Sequence, residues 1–304
     1  MPTTFRSGQF PQSVLLRGIH DVIGWNFTQR PAIGRQLFNV YESEQAREHT
    51  LTMGAGGLFR ERAEGASTEY GTFNEGFLET FTPTTFSDGF RLTQWMYLND
   101  MYGTMERLGA ELGRMAAVSD ETILANVLNN GFTSTYAGYD GVELFDVAHV
   151  RENGDIWRNK PATGEDADLS QTSLEQGLID FSDQRDGGGK RLSIKPVCLL
   201  TARNEWFNGW RYMSSDKSPE NDTNAMNPLA ELGLKHVVWD YLDTPKAWFL
   251  LADKQEHDLR VFDRIYFYSD HIYDFDTDDI KYKGVFSMSA GWGDARGVWG
   301  TSGT

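Results

Sequence analysis

Two short stretches have the spacing of ligand-binding motifs. Gly187-Gly188-Gly189-Lys190 offers the glycines and the lysine of a phosphate-cradling loop, where backbone N–H groups and an ammonium would hold a polyphosphate. The rest of that pattern is missing: Arg191 stands where a Ser or Thr should follow, and Gln184 occupies the first glycine position. A flexible turn is the better reading. Asp274, Asp276 and Asp278 alternate as at the start of a calcium loop, with His271 close by as a nitrogen donor. Asp279 replaces the sharp-turn glycine and Val285 the bidentate glutamate, so a solvated acidic turn is expected and no metal.

Nucleophilic chemistry fares no better. His20, His49, His149, His236, His257 and His271 are scattered, and no HExxH pairs any two on a helix face. Asp146 and His149 are neighbours in sequence, but no GxSxG supplies an elbow serine for them. Cys198, the one cysteine, lies in the apolar run Val197–Leu200, where burial would raise its pKa and leave it unreactive. Paired carboxylates for sugar hydrolysis stay open as a reading, because 44 acidic residues can pair in space in ways no spacing reveals.

The elements that would position such groups belong to a chain of 304 residues, 39% hydrophobic and 24% charged, which suits a folded domain of good size. The run Ala247–Ala252 is too short to span a bilayer, so no membrane partner is expected. The N-terminal MPTTFRSGQFPQ has no apolar signal core, which makes cytosolic synthesis the expectation. Net charge is −16, unevenly spread: residues 1–40 hold Arg6, Arg17, Arg30 and Arg35 against Asp21 alone, and no lysine occurs before Lys160. An acidic body repels polyphosphate, which argues against sequence-reading nucleic-acid binding.

Residues 1–40 show no sustained period and read as an extended arm. Residues 41–92, rich in Thr, Phe, Gly and Glu, read as a long β-hairpin. Met101, Met105, Leu108, Leu112 and Met115, continued by Ile123 and Val127, predict a long helix over 98–130, with Ser119-Asp120 as a candidate break. Thr172 and Glu175 have capping-box spacing before a helix whose apolar face is Leu174, Leu178 and Phe181. A buried strand, Pro196–Leu200, precedes a helix with Trp206, Phe207, Trp210 and Met213 on one side. Two apolar strands follow within Asn227–Asp253, and Ile280–Ala290 alternates as a half-buried strand with Lys281, Lys283, Ser287 and Ser289 outward. The succession is mixed α+β without a βαβ rhythm.

Four blocks in order then carry a resemblance: YDGVELFDVAHV at Tyr139–Val150, LSQTSLEQGLIDF through KPVCLL at Leu169–Leu200, the segment Asn227–Asp253, and DDIKYKGVFSMSAGWGDARGVWG at Asp278–Gly300 with its Asp-x-Arg-Gly ending. Together they resemble the major capsid proteins of tailed bacteriophages, which have the Hong Kong 97-like fold. The resemblance implies an N-terminal arm (1–40), an E-loop hairpin (41–92), a peripheral domain (93–189) with its spine helix (98–130), an axial domain (190–253) and a return to the peripheral domain (254–304). It further implies self-assembly into hexamers and pentamers of an icosahedral shell around double-stranded DNA, in a virion built in the host cytoplasm. Neither enzymatic activity nor a cofactor is implied.

Implied partners are other copies of the chain, a portal protein, a separate scaffolding protein, a decoration protein and DNA contacted without sequence preference. Candidate interface residues are Phe59, Arg60, Glu61, Arg62, Phe73 and Phe77 in the E-loop, and Arg6, Arg17, Arg30 and Arg35 in the arm. Some relatives cross-link subunits through an E-loop lysine; here that segment has none, so non-covalent contacts are expected to hold the shell. The arm begins essentially at Met1, which points to scaffolding by another protein. Two other readings stay open: an encapsulin-like shell around protein cargo, and an Asp- and Trp-rich carbohydrate-binding or hydrolytic enzyme.

Overall fold

The computed structural model describes residues 12–30, 32–53, 58–68, 70, 75–93, 95–96, 99, 103–162, 166–217 and 226–303. Helices α1 (Gln12–Thr28) and α2 (Ile33–Leu37) lead into strands β1 (Asn39–Glu42), β2 (Glu48–Met53), β3 (Glu75–Phe81) and β4 (Thr84–Leu92). The long helix α3 (Thr104–Asn129) is followed by the short strands β5 (His149–Val150) and β6 (Ile156–Trp157), then by α4 (Gln171–Ser182). Strand β7 (Cys198–Ala202), helix α5 (Trp206–Ser214) and strands β8 (Lys235–Trp239) and β9 (Trp248–Leu251) come next. The chain closes with β10 (Leu259–Tyr273), β11 (Ile280–Trp292) and β12 (Val298–Thr301).

Two four-stranded sheets organise these elements. The first has the order β1-β10-β11-β4, with β1 parallel to β10 and the other pairs antiparallel. Helix α3 lies on it, and α1 packs on α3. Gly109 and Gly113 make that second contact close, since a Cβ at Gly113 would stand 2.3 Å from the Ile23 carbonyl oxygen. Ile19, Ile23, Met105, Leu112, Leu92, Ile280 and Tyr282 form the cluster beneath. The second sheet has the order β12-β9-β7-β8. Its strands β7, β9 and β12 are buried on both faces: Leu199, Leu250 and Trp299 meet α4, while Cys198, Leu200, Phe249 and Val298 meet Leu124, Leu128 and Phe145. Beside these, β2 and β3 form a two-stranded ribbon of their own.

Several expectations need correction. The arm is not extended over 12–37: Ile19 and Ile23, one turn apart, bury one side of α1. Strand β4 belongs to the first sheet, so the separate ribbon is β2 with β3 and does not take in the whole of 41–92. Helix α3 starts after Gly103, which has φ 64°; residues 98 and 100–102 lie outside the described residues. Ser119-Asp120 does not interrupt it, because Ser119 Oγ donates back to the Met115 carbonyl at 2.8 Å and Asp120 has an arginine partner. Met115 itself is exposed, and Ala116, Leu124 and Leu128 take the core positions instead.

The α4 box uses Ser170 and Ser173, not Thr172 and Glu175; each serine caps the other's backbone N–H. The apolar face Leu174, Leu178, Phe181 does pack inward. In β11, Ser287 is buried with its hydroxyl against Thr84 O and Thr85 Oγ1, because β4 covers that edge. Trp206, Phe207 and Trp210 are exposed; Tyr212 is the aromatic of α5 that enters the core.

Candidate assembly surfaces

The motif candidates resolve into local structure. Asp186–Lys190 closes on itself: Asp186 N donates to Lys190 O at 2.8 Å, and Lys190 N to Asp186 Oδ1 at 2.7 Å. The three glycines form a turn, and no helix follows to present N–H groups to a phosphate. At the β10–β11 tip, Asp274 takes Lys281 Nζ at 2.7 Å and Asp279 takes Arg91 Nε at 2.6 Å. The hydrogen bond from Lys281 holds the Asp274 carboxyl below its usual value. Among the described residues no group of three His, Cys, Asp or Glu side chains is arranged to hold a metal.

His149 does not use Asp146. Its Nδ1 meets Asp140 Oδ2 at 2.6 Å with both side chains buried, while Asp146 Oδ1 caps Ala148 N at 2.6 Å. Asn159 completes this knot by donating to Leu144 O at 2.7 Å and Ala295 O at 3.3 Å, tying the connection after α3 to the chain's end. No serine or cysteine stands in it. Burial pushes the Cys198 thiol up to about 12. A cleft of about 460 Å³ beside Cys198 is lined by Leu37, His236 and His257 with Asp253 as its one carboxylate, so it holds no acidic pair for glycoside chemistry.

What the fold does build is a set of charged anchors and exposed apolar faces. Arg35, at the third position of α2, lies between Asp120 of α3 (Nε–Oδ2 2.7 Å) and Asp263 of β10 (Nη1–Oδ2 2.6 Å). Burial works against the Arg35 charge, but the hydrogen bonds to both aspartates outweigh it and raise the pKa further. One residue on from Asp120, Glu121 accepts from Gly34 N at 3.1 Å and from Trp239 Nε1 at 2.7 Å; burial raises its carboxyl's pKa. A second anchor at the Asp-x-Arg-Gly turn joins Arg296 to Asp294 and Glu152, each at 2.9 Å. Helix α1 is pinned to β10 by His20, whose ring meets Ser269 Oγ at 2.6 Å and His271 Nδ1 at 2.7 Å.

The sequence-derived candidates separate accordingly. Phe59, Arg60, Glu61 and Arg62 are exposed, with Arg62 bonded to Thr68. Phe77 packs against Tyr139 in a tilted pair, 4.8 Å between ring centroids, and so is committed within the chain. Phe73 and Arg6 lie outside the described residues, as does the side chain of Arg17 in α1. Arg30 is exposed, whereas Arg35 is spent on the clamp. The ribbon pairs Leu51 with Leu78, and both stand about half exposed. The clamp and the His20–His271 pair escaped sequence reasoning, because each depends on residues distant in the chain; the α5 aromatics were legible as one side of a helix but not as its exposed side.

A double-sheet body locked by internal ion pairs, with apolar surface turned outward on a ribbon and a helix, has surfaces suited to contact with other molecules. Residues 78–300 match the family model for phage capsid protein, and the chain belongs to that family. No curated protein matches it in sequence. Among solved structures, it superposes on the mature capsid of bacteriophage PhiM1 with a TM-score of 0.59 at 10% identity, covering 90% of this chain and 87% of that one. The procapsid of bacteriophage JBD30 gives 0.51 at 14% identity over 95% and 74%, and the Pyrococcus furiosus virus-like particle 0.54 at 8% over 94% and 98%. The fold is the α+β Hong Kong 97-like fold. The protein is a capsid subunit that self-assembles into an icosahedral shell, and its place is the virion. No helix among the described residues is long and apolar enough to cross a membrane.

Proposed function

We propose that this chain is the major head protein of a tailed phage, arranged as hexamers and pentamers around double-stranded DNA, with a structural and non-enzymatic role. The observation that carries this reading is the ribbon β2–β3. Two strands alone are marginal in water, and this pair leaves Leu51 and Leu78 open on the same register position. A neighbouring subunit that covers them would make the ribbon an E-loop. On this reading the arm is 1–40, the E-loop lies within 41–92, the peripheral domain is 93–189 with 254–304, and the axial domain is 190–253 around the second sheet.

Net charge of −16 suits a wall along which packaged DNA slides, with Arg30 as the described arm residue free to meet phosphate or an acidic neighbour. Portal, scaffolding and decoration proteins are partners proposed from the family, and synthesis in the host cytoplasm likewise. The segment 41–92 has no lysine, so shells should run on denaturing gels as a single band near 34.4 kDa. Electron microscopy of the expressed chain, with and without a scaffolding partner, tests the whole reading. Closed shells or capsomers are expected, and a discrete monomer or dimer under both conditions would overturn it.

A further inference from the structure

Helix α5 turns an aromatic face to solvent. Gly209 and Tyr212 face the second sheet, where a Cβ at Gly209 would stand 2.4 Å from His236 Nε2. The opposite side presents Trp206, Phe207 and Trp210, exposed by 51%, 66% and 59%. The rings of Trp206 and Phe207 stack nearly parallel, 5.5 Å apart at 8°. Three large rings on nine residues of helix form a preordered patch, since stacked aromatics lose little conformational freedom when covered. Arg203 and Arg211 flank it, both exposed and in no ion pair among the described residues; Arg211 reaches only Asn208 Oδ1 at 3.4 Å.

Charge indicates what covers the patch. Residues 190–253 contain eight Lys and Arg and eight Asp and Glu, so this stretch is neutral and the net −16 lies in the rest of the chain. Copies of so acidic a protein repel one another across most of their surface, and approach is cheapest where the net charge vanishes. The same stretch exposes Glu231, Asp240 and Asp243, which can answer the two unpaired arginines of another copy. An aromatic centre with an arginine rim is the composition of an interface hot spot.

We infer that the Trp206–Phe207–Trp210 face of α5 is a head-to-tail contact between copies of this chain, with Arg203 and Arg211 pairing to acidic residues of the neighbour's second-sheet region. A heterologous contact of this kind closes into a ring when repeated about an axis. The inference rests on the capsid reading above and adds the residues through which that ring closes.

The test compares the wild-type chain with Trp210→Asp, and labels a Phe207→Cys chain with a thiol reagent before and after assembly. Trp210→Asp subunits should keep the wild-type melting temperature within about 2 °C, as expected for a surface site, and lose more than tenfold in shell yield. The Phe207→Cys thiol should react at least tenfold more slowly in shells than in dissociated subunits, with buried Cys198 silent in both. Wild-type shell yield from Trp210→Asp, or equal labelling in both states, overturns the inference and leaves the capsid reading standing. If Trp210→Asp fails to fold, the labelling ratio alone decides. Absence of shells from the wild-type chain overturns the capsid reading and this inference with it.

Discussion

Removing the guanidinium of Arg35 should destabilise the subunit by stranding two buried carboxylates. The side chain joins three elements, and its two partners, Asp120 and Asp263, are themselves only 5% and 10% exposed. In Arg35→Met the methionine fills part of the volume but leaves two carboxylates buried side by side with no counter-charge. Breaking a buried pair by deleting one partner costs about 3–5 kcal/mol, mostly as the penalty for the charge left behind. For a chain of 304 residues the unfolding entropy is roughly 0.64 kcal/mol/K, so the loss is about 5–8 °C in melting temperature. Scanning calorimetry of unassembled subunits at pH 7 measures it. Arg35→Met/Asp120→Asn/Asp263→Asn should recover most of the deficit at pH 7, because it removes the stranded charges along with their partner. A drop below about 2 °C, or a triple variant no more stable than Arg35→Met, would refute the view that paired charge holds α2 in place.

Three further outcomes follow from the same geometry. Gly113→Ala should destabilise by about 1–3 kcal/mol in urea unfolding despite alanine's better helix propensity, because its Cβ meets the Ile23 carbonyl at 2.3 Å; a stabilised variant would show that α1 does not pack there. His257 is held down to about 4 by burial and by Lys254, and its Nδ1 accepts from Leu259 N at 3.3 Å. The unfolded chain therefore takes up that proton first, and stability should fall by about 3 kcal/mol as pH drops from 6.5 to 4. His20 and His236 are lowered mainly by burial and act in the same direction, and a His257→Asn chain with an unchanged pH slope would refute the assignment. Leu78→Glu, on the exposed ribbon position opposite Leu51, should leave subunit melting within about 1 °C and abolish shells in electron microscopy; normal shells would remove the ribbon from the interface.

How much of this was legible beforehand depended on whether the signal was local. The period of α3 and the apolar face of α4 could be read directly, because helix burial writes itself at spacings of three and four. Helix α1 could not: Gly18 and Gly24 interrupt its stripe, and its partners Gly109 and Gly113 lie some ninety residues away. Arg35 read as one of four arm cations, since nothing in its neighbourhood announces Asp120 or Asp263. The aromatic face of α5 was legible as a stripe but not as an outward one. Apolar residues at helical spacing show only that a helix has two sides, and which side meets the subunit's own core is decided by Gly209 and the His236 ring.

That last ambiguity bears on what the sequence of a shell protein has to encode. An apolar stripe in a monomeric domain has one destination, but in an assembling subunit it has two, the chain's own core and a neighbour's surface. The two can be separated by charge. Inside the subunit, arginines are matched to buried carboxylates, as Arg35 is to Asp120 and Asp263 and Arg296 to Glu152 and Asp294. Around α5 the arginines lack such partners among the described residues, although the stretch as a whole is neutral. Unmatched charge beside exposed aromatics, inside a stretch whose net charge is zero, is what the proposed contact between copies would answer. On that proposal, the exposed Glu231, Asp240 and Asp243 of the next copy would supply the partners.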